Sequence, residues 1–458
     1  MHNDIIKVNK AKNENKSICK CFIVYLFLLS IQFIHSLVLA FPSVFYLSIF
    51  LSAFAYAYYV LAKKFNANTT LLILMIFSSP FSFHNIWGTY GPMSYFLILN
   101  VFFILKNMLM LKFKSKGLLF LLVVISLFSI IPLVISAHIG SAINTFIKYE
   151  LLFLTLICAL GRSDSLNLGN WECVKKAIIL MSIGLSLIMA VQIVLAYIFN
   201  LDTLVLVLGG NRKVVSLWFN DFSSNGLYFV LGLVLVFLKR NKKLSDYFII
   251  LFCLGILALT STRTALFAGF VVFFLIVIFS PGIKNRLGKI TGVVFISFIG
   301  LIVLSINRGR MFDFAELFSD TGRVNLIFAS LRYAKENLFF GSGFEWTPIV
   351  ADYGMIVHVH FLLLLNMAGV FYLSLYLILI FYILGQSLKK KNYDQFWLMT
   401  YILIVGLFIP DLSGNLIMIT VFASSIMLKP SQNLQNSSLP ILSARNISLL
   451  QTNCGGRI

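Results

Sequence analysis

The run GLLFLLVVISLFSIIPLVIS, from Gly117 to Ser136, holds no charged side chain and directly follows Lys112, Lys114 and Lys116. A helix that crosses the roughly 30 Å hydrocarbon core of a bilayer needs about 20 such residues, so this stretch is long enough alone. Comparable runs lie near 22–41, 44–62, 69–84, 92–108, 143–160, 177–199, 223–238, 246–262, 264–280, 290–306, 357–384, 396–411 and 414–428. The 458-residue chain is 60% hydrophobic and 11% charged, with a mean hydropathy of +0.95. No water-soluble core buries that much apolar surface. The expected fold is all-α, a polytopic transmembrane helix bundle of about 14 spans (12–14).

The formal charge of +20 would suit a nucleic-acid partner, but its placement points elsewhere. Lys and Arg gather on the cytoplasmic side of membrane proteins. With the N-terminus inside, inner segments take the clusters within Lys7–Lys20, Lys63–Lys64, Lys106–Lys116, Arg162–Lys176, Lys239–Lys243, Lys284–Lys289, Lys389–Lys391 and Lys429–Arg457. An even number of spans with both termini cytoplasmic accommodates them all, so no nucleic acid is expected. Left over are Lys148, Arg212, Lys213, Arg263, Arg308, Arg310, Arg323, Arg332 and Lys335. Orientation does not explain these.

This divides the chain into a cytoplasmic segment 1–21, eleven spans within 22–306, a large outer loop 307–357, three spans within 358–428 and a Ser-, Asn- and Gln-rich tail 429–458, expected to be disordered. The cysteines fall in inner segments or spans, which leaves the outer loops without a disulfide. Lys148 and Glu150, two apart, do not align on one helical face, so each is expected to find a partner elsewhere. The connector 161–176, with Asp164, Trp171 and Glu172, reads as a plain linker. In the outer loop 200–224, Gly209-Gly210-Asn211 makes a turn beside Arg212, Lys213 and Trp218, which would suit a phosphate or an anionic lipid surface. Arg263, flanked by hydroxyls in Thr260-Ser261-Thr262-Arg263-Thr264, stands between two apolar helices, where an unpaired charge is costly.

The interval 307–357 is the longest polar stretch and holds five of the nine unexplained cations. From Thr321 onward, Val324, Ile327, Phe328 and Leu331 follow helical spacing, with Asp320 or Thr321 placed to cap. An amphipathic helix against the bundle is expected there. Arg323 and Arg332, nine residues apart, point to opposite faces of it. The turn Asn337-Leu338-Phe339-Phe340-Gly341-Ser342-Gly343 follows, and the chain re-enters at His358-Val359-His360. Two histidines so spaced at the start of a helix do not chelate one metal.

Taken together, the Ser-Thr-Arg-Thr-Ala turn at Arg263, Thr-Gly-Arg opening a helix, Asn-Leu-Phe-Phe-Gly-Ser-Gly, and a His eleven residues before Gly369 resemble the O-antigen polymerase and O-antigen ligase superfamily. The resemblance implies a GT-C-like membrane glycosyltransferase in the bacterial inner membrane, with its site on the periplasmic face. It implies a donor glycan carried on undecaprenyl diphosphate, with membrane lipids and a chain-length regulator as partners. Nothing in the outer loops resembles a clustered carboxylate metal site, so a reaction without metal or cofactor is expected. Arg263 and Arg323, with Arg308, Arg310 and Arg212, would bind the diphosphate. Arginine's planar fork suits phosphate oxygens at any pH. His358 or His360 would be the catalytic base. The sequence departs from the family where Val359 follows the histidine in place of Asn. Asp313, Glu316, Asp320, Glu345 and Asp352 are rival bases or arginine partners.

Overall fold

The structure, a computed structural model, describes residues 2–38, 43–81, 95–109, 115–163, 165–199, 205–208, 212–215, 222–239, 242–259, 263–279, 323–345, 357, 359–409 and 417–429. Among them the elements run α1 (His2–Val38), α2 (Ser43–Ala62), α3 (Ala67–Ser78), α4 (Tyr95–Met108), α5 (Lys116–Phe128), α6 (Ile130–Ile135), α7 (Ile139–Gly161) and α8 (Leu168–Tyr197). Then come β1 (Val205–Leu208), β2 (Arg212–Val215), α9 (Phe222–Leu238), α10 (Leu244–Leu259) and α11 (Arg263–Phe279). The last are α12 (Arg323–Glu336), α13 (His360–Lys389), α14 (Tyr393–Gly406) and α15 (Ile417–Met427).

Local chemistry sets several boundaries. Asn66, Ser115 and Asn167 cap α3, α5 and α8, each side chain accepting an N–H of the first turn. The opening run Gly117–Ser136 is interrupted at Ser129, between α5 and α6. Pro132, three residues on, has no N–H to give the carbonyl of Phe128.

Among the described residues, five helical segments are long and apolar enough to cross a membrane, namely 13–34, 116–135, 139–161, 168–197 and 360–389. Helices of that kind are the signature of a membrane protein. Shorter apolar helices fill in between them. The buried α8 is one hub, with α1, α3, α9 and α10 packed around it. Gly232 of α9 lies so close to α8 that a Cβ there would meet Ser182 Oγ at 2.4 Å. That hydroxyl accepts the Gly232 N–H at 3.0 Å and donates to the Tyr228 carbonyl at 2.6 Å, so the close approach leaves no polar group stranded. The second hub is α13, against which α5, α12, α14 and α15 pack, with α7 alongside α5 and α15.

Several expectations change. The N-terminal segment is continuous helix from His2 into the first apolar run. The described residues are helical except for one hairpin, in which β1 pairs antiparallel with β2 and Arg212 stands opposite Leu208. β-Branched Val205, Val207, Val214 and Val215 favour that pairing. The connector 161–176 is anchored, not loose. Leu166 N–H bonds the Met427 carbonyl and Leu166 carbonyl takes Lys429 N–H, both at 2.9 Å. Nearby, Lys175 bridges Glu172 and Asp394 at 2.6 Å each. Glu150 does find partners outside its own helix, the hydroxyls of Ser126 and Ser129 on α5 and the break that ends it. The expected span 290–306 lies outside the described residues.

Candidate functional site

Three glycines build the site. Inside α13, Gly369 has φ 77° and ψ 177°, a conformation open essentially to glycine alone. The helix breaks there, and the carbonyls of Asn366 and Met367 turn outward to accept Ser342 N–H and Gly343 N–H at 2.9 Å each. In return Val370 N–H donates to the Leu338 carbonyl at 2.8 Å. A Cβ on Gly369 would sit 2.2 Å from the Phe339 carbonyl oxygen, and one on Gly341 would sit 2.3 Å from the Met367 carbonyl carbon. The turn and the break are thus one backbone-to-backbone lock. It resupplies the hydrogen bonds that a broken helix loses, the condition for irregular backbone inside a bundle.

The break also folds α13 back on itself. His360 and Tyr376 ring centroids are 6.0 Å apart, whereas a straight helix would hold residues with that spacing roughly 24 Å apart. The short arm 360–368 therefore bends sharply back toward the long arm 370–389, close enough for these two rings to meet. Between the arms, α7 and the turn, Tyr149 stacks on Phe344 at 5.5 Å and meets Tyr372 and Tyr376 edge-on at 6.0 and 6.1 Å. All four rings are fully buried, as is His360. The Tyr372 hydroxyl is also buried, with no hydrogen-bond partner among the described residues.

Glu345 closes the assembly at the N-terminus of α7. It is 0% exposed, and Oε1 accepts Ala137 N–H at 2.6 Å and His138 N–H at 3.2 Å. These are donors the helix itself cannot satisfy, and the helix dipole favours a carboxylate there. The other oxygen, Oε2, is buried without a hydrogen-bond partner among the described residues. One residue back, Phe344 N–H donates to Ser136 Oγ at 2.9 Å. Glu345, a rival base by sequence, is a clasp between the turn and α7. Sequence reasoning missed that role because it depends on a partner 208 residues away.

The sequence-nominated residues fall as follows. Arg263 is the first residue of α11 and Arg323 the first of α12, while Arg212 opens β2. Arg308, Arg310 and His358 lie outside the described residues. The helix begins at His360, with Val359 extended at φ −140° and ψ 108°. The helical separation expected of the two histidines therefore does not apply. On α12 the buried positions are Leu326, Ser330 and Ala334, not the expected Phe328 and Leu331, which are exposed. The interhelical bond from Asn366 Nδ2 to Ser330 Oγ draws the Ser330 face inward. Arg332 is exposed. A scan against protein-family models finds no match to this sequence, and a search of curated proteins finds no significant one.

Proposed function

We propose that this chain is a bacterial inner-membrane glycosyltransferase of about fourteen crossings, GT-C-like, that polymerises lipid-linked oligosaccharide repeat units on the periplasmic face. The donor is a glycan on undecaprenyl diphosphate. The anomeric carbon–oxygen bond to the diphosphate breaks, the acceptor sugar's hydroxyl oxygen bonds to that carbon, and its proton passes to a base. Arg263 and Arg323, assisted by Arg308, Arg310 and Arg212, stabilise the departing diphosphate. His358 is the base, and His360 is buried at the start of α13.

One observation carries this reading. The α12 helix that Arg323 opens, the Asn337–Gly343 turn and the Gly369 break are stretches that sequence alone links only by order, yet they form one hydrogen-bonded unit. Arg263 and Arg323 each open a helix, whose dipole adds positive potential to those cations, which suits an anion. A ligase that moves finished glycan to lipid A core would present the same donor to the same arginines.

A second reading is a flippase for lipid-linked oligosaccharide. It is favoured by Glu150, a half-buried carboxylate inside an apolar helix, held by two serine hydroxyls, because intramembrane carboxylates mark transport pathways. Deletion with complementation separates the three. Loss of polymerase leaves single repeat units on the core, loss of ligase leaves bare core with free polymer, and loss of flippase leaves lipid-linked units inside the cell. Arg263→Ala and Arg323→Ala should each abolish polymer in protein that still inserts. His358→Ala should be more damaging than His360→Ala. Full-length polymer from both arginine variants would overturn the diphosphate clamp.

A further inference from the structure

We propose that α12 and the Leu338–Phe340 turn lie in the lipid–water interface, with their outward side chains among bilayer acyl chains, and do not stand in the aqueous compartment. This rests on the chain being membrane-spanning and is independent of the reaction proposed above.

The helix has two distinct faces. Leu326, Ser330 and Ala334 are buried against α13. Phe328, Leu331, Arg332 and Lys335 follow one line at i, i+3, i+4 and i+7, and all four are exposed. Two large apolar side chains thus share the outward face with Arg332, Lys335 and the exposed Glu336, a mixture that suits the boundary between acyl chains and headgroups.

What covers that row is indicated by its neighbour. Within the turn, Phe339 and Phe340 are 58% and 47% exposed. Their rings lie 5.7 and 5.9 Å from that of Phe371. Phe371 in turn begins the exposed row Phe371, Ile378, Phe381 and Leu388 along the long arm of α13. The outward face of a spanning helix meets lipid, so the Phe339–Phe340 turn extends a lipid-facing surface past the end of the span. Arg332 and Lys335 fit the same depth. Their stems can lie along apolar surface while their charged ends reach phosphate groups, as in interfacial helices.

Two measurements on the full chain in liposomes test this. The first places nitroxide labels at Leu331→Cys, Phe340→Cys and the control Ile378→Cys, with the native cysteines replaced by alanine. Labels at 331 and 340 should be more accessible to oxygen than to a water-soluble nickel chelate, as at 378. Preference for the nickel chelate would overturn the proposal. So would shielding from both reagents, which would mean a protein partner or second copy covers the patch. The second uses the unaltered chain and phospholipids with a photoreactive diazirine on the acyl chain. Peptides from 323–345 should be labelled along with those from 370–389. Labelling of the span alone would sink the idea.

Discussion

At Gly369 a single hydrogen in place of a side chain decides how the outer segments meet the bundle. Alanine there must adopt φ 77° and place its methyl carbon 2.2 Å from a carbonyl oxygen. The conformational part alone costs about 1–3 kcal/mol, and the collision adds to it. Gly369→Ala should therefore lower the melting temperature in detergent and expose 337–345 to protease, whereas Gly385→Ala, with nothing within 4 Å of the added carbon, should do neither. Glu345 permits a finer comparison. Glu345→Ala abandons two helix-terminal N–H donors and should destabilise the N-terminus of α7 by roughly 1–3 kcal/mol. Glu345→Gln keeps a carbonyl acceptor and should recover most of that. Amide exchange at Ala137 and His138 is the readout, and equal exchange in both variants would refute the clasp. The glycines themselves were visible in the sequence, but their contacts were not, since neither Gly341 nor Gly369 indicates which distant carbonyl it approaches.

Among the elements, α12 shows where pattern reading succeeds and where it misleads. Its existence was legible from the spacing of Val324, Ile327, Phe328 and Leu331. The buried face was not, because apolar periodicity assumes that the outer face meets water. On a helix beside lipid that assumption fails, and the inward face is chosen by fit, here Ala334 at 2% and Ser330 at 1% exposure. Ala334→Leu should consequently overpack the contact with α13 and cost about 1–3 kcal/mol. Phe328→Ala should leave thermal stability in detergent nearly unchanged. The opposite ranking would restore the face expected from sequence. Similarly, α13 read as one long apolar run near 357–384, and only the tertiary lock with the Asn337–Gly343 turn divides it into a short arm and a spanning arm.

For the whole molecule, the distribution of Lys and Arg makes a topological prediction. Both termini belong on one side and α12 on the other. Fluorescent-protein fusions after Lys429 should glow, and alkaline phosphatase fused after Asn337 should be active. Activity of the phosphatase at Lys429 would reverse the assignment. Composition and run length by themselves determined that this chain is helical and apolar enough for a bilayer, because twenty uncharged apolar residues have few other stable fates. They also located the polar interval with its leftover cations. Tertiary structure alone decided which residues within that interval touch. Glu345 and Gly343 meet Ala137, His138 and Ser136 in the connector between α6 and α7, Gly341 and Gly343 meet Met367 of α13, and Glu150 meets Ser126 of α5 and Ser129 just after it. Contacts of that kind depend on how helices pack around one another, and helix-to-helix register leaves no local mark on either sequence that supplies it.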